Sequence, residues 1–121
     1  MKLIVAGGRD YILTDSDKEF LNDFHNDNNI ELLIHGGCSG VDNCAGDWAK
    51  SKNIPVKIFP ADWKKHGKAA GPLRNREMAK HADAVILFPG GRGTASMKSE
   101  AEKAVIQVIL PRASNKDYDF I

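Results

Sequence analysis

The sequence predicts an α/β fold: a single domain of about five mostly parallel strands, covered by helices on both faces. Three observations predict it. Short apolar runs alternate with segments of helical spacing, and the runs are continuous in apolar character, as strands buried on both faces are. Glycine clusters follow three of those runs. At 121 residues and 42% hydrophobic, the chain can bury one core without metal or disulfide staples.

Leu3-Ile4-Val5-Ala6 is a short buried strand that ends in Gly7-Gly8. Ser16-Asp17-Lys18-Glu19 has the spacing of a capping box, with Phe20, Leu21 and Phe24 as the apolar face behind it. Leu32-Leu33-Ile34 is the second strand, ending in Gly36-Gly37. Val41, Cys44, Ala45, Trp48 and Ala49 then follow the i, i+3, i+4, i+7, i+8 spacing of an amphipathic helix. Val56, Ile58 and Phe59 make a third strand between Pro55 and Pro60. Gly71-Pro72 reads as a helix start with proline at the first position, and Leu73, Met78 and Ala82 supply its apolar contacts. Residues 84–88 form the fourth strand, 94–103 the next helix and 105–110 the fifth strand. The tail from about residue 112 is polar and expected to be irregular. No repeat or linker interrupts residues 1–121, so one Rossmann-like domain is expected, with strand order left open.

A parallel sheet brings all its strand C-termini to one edge, where ligands bind at a topological switch point. Gly7-Gly8-Arg9-Asp10, Gly36-Gly37-Cys38-Ser39-Gly40 and Pro89-Gly90-Gly91-Arg92-Gly93-Thr94 all follow a strand and should converge there. A single glycine pair after a strand is ordinarily a tight turn. Three such clusters point to a ligand that approaches the backbone closely. The last cluster leads from strand into helix, which exposes N–H groups at the positive end of a helix dipole, where a phosphate can sit. Two familiar phosphate motifs are excluded. A Walker A loop fails because Met97, before Lys98-Ser99, stands where its second glycine belongs, and Gly91-Arg92-Gly93 lacks the third glycine of a dinucleotide fingerprint.

Between Asp62 and Glu77 the chain carries five Lys and Arg side chains and no acid. The bland reading is a solvated loop; the functional one is a cationic wall, with Arg74 and Asn75 in the first turn of a helix beside the site. A guanidinium there can take phosphate oxygens in bidentate fashion. Trp63 either stacks on a base or caps the core. A formal net charge of +1 gives no global attraction to nucleic acid, so any electrostatic preference must be local; a small-molecule partner is expected ahead of nucleic acid, with a single-stranded DNA-binding module as the lesser alternative. Cys38 and Cys44, in C-x5-C spacing, match no common zinc pattern and read as free thiols in or near the core. No metal and no cofactor is called for. Neither a signal peptide nor an apolar run of ~20 residues is present, so a cytoplasmic protein without membrane contact is expected.

Taken in order, these motifs resemble the SLOG superfamily, the Rossmann-like group named for the DprA (Smf) and Lonely Guy proteins, and within it the small YspA-type members. The resemblance rests on Gly7-Gly8-Arg9-Asp10, His35-Gly36-Gly37-x-x-Gly40-Val41-Asp42, Asp62-Trp63, Gly71-Pro72-x-Arg74-Asn75 and Pro89-Gly90-Gly91-x-Gly93-Thr94. It implies a nucleotide or nucleotide-derived ligand, bound for sensing or sequestration, and self-association of the kind common among SLOG relatives. Gly90, Gly91, Gly93 and Thr94, after Pro89, would take the phosphate. Arg74 and Asn75 would flank it, Gly36, Gly37, Ser39 and Gly40 would form a second wall, and Gly8 and Arg9 would close the site. Asp42 would either accept from a ribose hydroxyl or cap its helix, and Arg92 would point outward. Lonely Guy enzymes hydrolyse the N-glycosidic bond of cytokinin nucleoside monophosphates; similarity to them puts Arg74 on their catalytic arginine but Met97 on their catalytic glutamate. If the chain were such a hydrolase, Glu100 would be the substitute acid, although it lies about a turn further along the helix. Gly40-Val41-Asp42-x-x-Ala45 also resembles a stretch of DprA, which binds single-stranded DNA. The chain lacks the series of aromatics such a groove uses.

Overall fold

The computed structural model describes residues 1–111, and the expected polar tail lies outside the described residues. Five strands, β1 (Lys2–Ala6), β2 (Leu32–His35), β3 (Val56–Ile58), β4 (Ala84–Leu87) and β5 (Gln107–Ile109), form one sheet in the order β3-β2-β1-β4-β5. Every neighbouring pair is parallel. The chain moves outward from β1 through β2 to β3, then returns to the other side of β1 for β4 and β5. The reversal puts the topological switch point between β1 and β4.

Period-two alternation divides the strand side chains between two cores. Leu3, Val5, Leu33, Ala84 and Ile86 face α1 (Asp15–Asn28) and α2 (Val41–Ser51), meeting Leu21, Ala45, Trp48 and Ala49. Ile4, Ala6, Ile34, Val85 and Leu87 face the other side, where Met78, Ala79, Met97 and Ala101 come from α4 (Ala70–Lys80) and α5 (Arg92–Lys103).

Three local expectations need correction. The capping box of α1 is closed by Thr14 and Asp17 rather than Ser16 and Glu19. Asp17 is buried and also accepts the Tyr11 hydroxyl at 2.7 Å, which fixes it as the third helical residue and Thr14 as the cap. The basic stretch is helical: α3 (Trp63–His66) and a 3-10 turn (Gly67–Ala69) lead into α4. Asp62 makes this possible by accepting the Lys65 N–H at 3.1 Å. Because α4 already starts at Ala70, Arg74 and Asn75 stand in its second turn, not its first. The fifth strand is also shorter than expected. Val105 lies at φ 60° and closes α5 in a Schellman turn, with Val105 N–H on the Glu102 carbonyl and Ile106 N–H on that of Ala101.

Candidate functional site

Three loops meet above the C-terminal ends of β1, β2 and β4. Gly8 is their junction: its N–H donates to the Pro89 carbonyl at 2.8 Å, and its own carbonyl accepts the Val41 N–H at 3.2 Å. Gly40, at φ 74°, has no room for a side chain, since a Cβ would collide with the Gly8 and Arg9 carbonyls. Gly7 is similarly closed in, with Val41 Cγ2 2.6 Å from where its Cβ would stand. The close approach of loops from different strands therefore explains these two glycines, independently of any ligand.

The second loop is held from three sides. Asp42, buried in the first turn of α2, accepts the N–H groups of Gly36 and Cys38 on one oxygen, both at 3.1 Å. His35 Nδ1 accepts the Gly37 N–H at 2.9 Å. From α4, Arg74 Nη1 donates to the Gly36 carbonyl at 2.7 Å and to that of Phe59 at 3.1 Å. Burial raises the Asp42 carboxyl above its ordinary range, while the Cys38 N–H, His35, Arg74 and the Gly36 N–H pull it back. His35 is held below its usual value, again chiefly by burial.

Arg74 is the principal cation of the site. Its Nε donates to Asn75 Oδ1 at 2.9 Å and its Nη2 lies 3.9 Å from Cys38 Sγ. No carboxylate lies within ion-pairing distance of it among the described residues. Buried Asn75 in turn donates to Ser96 Oγ at 3.1 Å and to the Gly93 carbonyl at 3.4 Å, tying the arginine to the start of α5. That helix begins after Gly91, which as a glycine offers no side-chain cap to its first N–H groups.

A cleft of about 370 Å³ opens among these elements. Of the residues expected at a ligand, Gly8, Arg9, Gly36, Asp42, Arg74, Asn75, Gly91, Gly93 and Thr94 line it. Gly37, Ser39, Gly40, Pro89 and Gly90 do not. Ser39 is exposed and donates to the Arg9 carbonyl at 3.2 Å. Gly90 packs against the Thr94 hydroxyl and, with Pro89, borders a separate cavity of about 360 Å³ beside Lys98 and Leu110. Glu100 also stands off the cleft: it is buried, with Arg76 Nε at 3.4 Å and Lys103 Nζ at 3.7 Å from its carboxylate. Arg92, expected to point outward, is exposed but sits on the cleft rim.

Sequence reasoning missed the floor and part of the rim. Ala6, Met78 and Met97 give the cleft an apolar base, and Asp10 and Cys38 join its wall. Met78 reads in the sequence as an apolar helix contact, and the resemblance to the Lonely Guy enzymes puts Met97 at the position of their catalytic glutamate; both also belong to the core. The signal for Ala6 was its place as the last strand residue before a glycine pair.

The chain matches the model of the YspA, cpYpsA-related SLOG family over residues 1–66. It is 43% identical over 86 residues to the Gene 61 protein of Mycobacterium phage D29, covering 64% of this chain and 69% of that protein. Among solved structures it is similar to DNA processing protein A (DprA) from Streptococcus pneumoniae, with a TM-score of 0.71 at 16% identity. That match covers 95% of this chain, which spans about half of the DprA chain, 52%. It is also similar to TM1055, with a TM-score of 0.63, 19% identity, and coverage of 88% of this chain and 71% of the other. At such identities the two structures show the shared fold.

Proposed function

The chain belongs to the YspA, cpYpsA-related SLOG family, and on that premise we propose that its cleft binds a nucleotide or nucleotide-derived ligand through the phosphate. One observation carries the reading. A guanidinium held by two carbonyls and an amide, without a carboxylate partner among the described residues, shares the cleft with the uncapped start of α5. Both favour an anion at the same place. The N–H groups of residues 92–94 and the Thr94 hydroxyl are suited to phosphate oxygens, and Arg74 to the phosphate or its ribose side. The apolar floor of Ala6, Met78 and Met97 suits the sugar or base. At about 370 Å³ the cleft lies toward the small end of ligand sites, which run roughly 300–1,000 Å³.

Binding is favoured over N-glycosidic hydrolysis. Met97 is 1% exposed and presents a thioether where a hydrolase would need a group able to exchange a proton. Glu100 is engaged with Arg76 and Lys103 and does not line the cleft.

A nucleoside 5′-monophosphate should bind at least about tenfold tighter than its nucleoside, since each hydrogen bond to an ion contributes about 1.5–3 kcal/mol. Arg74→Ala should largely erase that difference. Arg74→Lys should restore part of it, keeping the charge without the planar fork. Titration calorimetry decides the matter, and equal affinities for nucleoside and nucleotide would overturn the reading.

A further inference from the structure

One buried side chain outside the cleft fixes the turn on which Arg74 rests. His35 ends β2, is 3% exposed, and packs its ring over Gly46 of α2, where a Cβ would meet Nε2 at 2.9 Å. Its Nδ1 accepts the Gly37 N–H at 2.9 Å, so the neutral ring carries its proton on Nε2. The acceptor lies two residues before the donor, which makes the arrangement an imidazole counterpart of an Asx-turn. Within the same turn, the Gly36 carbonyl accepts Arg74 Nη1 at 2.7 Å.

We infer that His35 is a positioning residue whose neutral ring holds the 36–38 turn, and with it the Arg74 guanidinium, and that protonation of the ring releases both. The nucleotide reading bears on what the release does to a ligand; the release itself stands on the hydrogen bonds alone. A protonated Nδ1 is a donor facing the Gly37 donor, and that bond cannot survive.

The charged groups around the ring are Asp42, Asp47 and Lys50 from α2 and Arg74 from α4. Lys57 of β3 lies instead over the Phe59 ring, 5.3 Å from its centre. Burial, helped by Lys50 and Arg74 and opposed by Asp42 and Asp47, holds the ring below its ordinary 6.5. The stabilisation from the neutral ring is therefore complete above the unfolded value. It is lost as pH falls through the lower folded value. Asp42 holds the same turn by two N–H groups and is the competing titration, its carboxyl raised by burial. Charge alone would act in the opposite sense, because a second cation near Arg74 would tighten an anion in acid.

The test compares the wild type with His35→Asn, whose amide oxygen can accept the Gly37 N–H without titrating, and with His35→Leu, which offers no acceptor. Without ligand, the Gly37 amide and Arg74 Nε–H resonances of the wild type should move together with the His35 ring as the pH falls below its ordinary 6.5. Both should stay fixed in His35→Asn and lie near their acid positions throughout in His35→Leu. Affinity for inorganic phosphate and for adenosine 5′-monophosphate should fall about tenfold further in the wild type than in His35→Asn over the same fall in pH, the second ionisation of the phosphate itself being common to both proteins. Affinity that rises in acid, or an asparagine variant that loses it in parallel with the wild type, would assign the effect to charge, to Asp42 or to protonation of the phosphate and overturn the inference. If the resonances behave as expected and neither probe binds at any pH, the nucleotide reading fails and the role of His35 stands. Should His35→Leu not fold, the wild type and His35→Asn still decide.

Discussion

At the scale of single residues, the cleft is built by side chains whose hydrogen bonds are mostly taken up within the protein. Asn75 shows this best, since its amide joins Arg74, Ser96 and Gly93 and leaves little for a ligand. Asn75→Ala should cost about 1–3 kcal/mol in chemical denaturation, because the Arg74 Nε–H and the Ser96 hydroxyl lose a partner in a half-buried setting. Ligand affinity should fall as well, as Arg74 loses its tether. Tyr11 sits on the opposite side of the sheet, with its hydroxyl on Asp17 and its ring stacked on Phe88. Loss of water first, and Asp17 second, push the hydroxyl from 10.0 up to about 12. The unfolded chain therefore loses this proton first, and the contribution of Tyr11 is complete below pH 10 and lost as pH rises through about 12. Urea midpoints across that window should fall less steeply for Tyr11→Phe than for the wild type.

At the scale of elements, what could be read in the sequence was what periodicity and glycine declare. The four apolar runs before residue 90, the third interrupted by Lys57, became β1 to β4, and the spacing from Val41 to Ala49 became α2. α3 was not visible, because Lys64 and Lys65 are exposed and its turn is specified by the Asp62 cap without an apolar face. The end of α5 was hidden for the opposite reason. Val105 looks like the opening of an apolar strand, yet it occupies the left-handed cap position at φ 60° and is 89% exposed. A β-branched residue there is strained and buries nothing. Val105→Gly should raise stability by about 1 kcal/mol, read as a higher melting temperature with an unchanged unfolding slope. Glycine clusters were legible as a group, but their division of labour was not. Gly7 and Gly40 serve the crossing of loops, Gly36 admits the Arg74 guanidinium, and Gly91 and Gly93 lie open at the start of α5. Only the spatial order of the strands separates these duties, and no local pattern encodes that order.

At the scale of the molecule, the sheet has a central strand that is also the first in the chain. β1 finds β2 about thirty positions on, with Leu3 beside Leu33, but its other neighbour only at Ala84. The β1-α1-β2-α2-β3 half can therefore assemble from near contacts, whereas β4 must close a loop across most of the domain. The cleft belongs to that second event. Gly8 gains its Pro89 acceptor, and Arg74 its link through Asn75 to α5, only once β4 and α5 are in place. A ligand of this cleft would thus meet no binding surface until the fold is complete. In stopped-flow experiments it should slow unfolding in proportion to its occupancy and leave the refolding rate unchanged. A refolding rate that climbs with ligand would mean that the cleft assembles early, ahead of the strand that closes it. The protein's lifetime, rather than its speed of folding, is what such a ligand would govern.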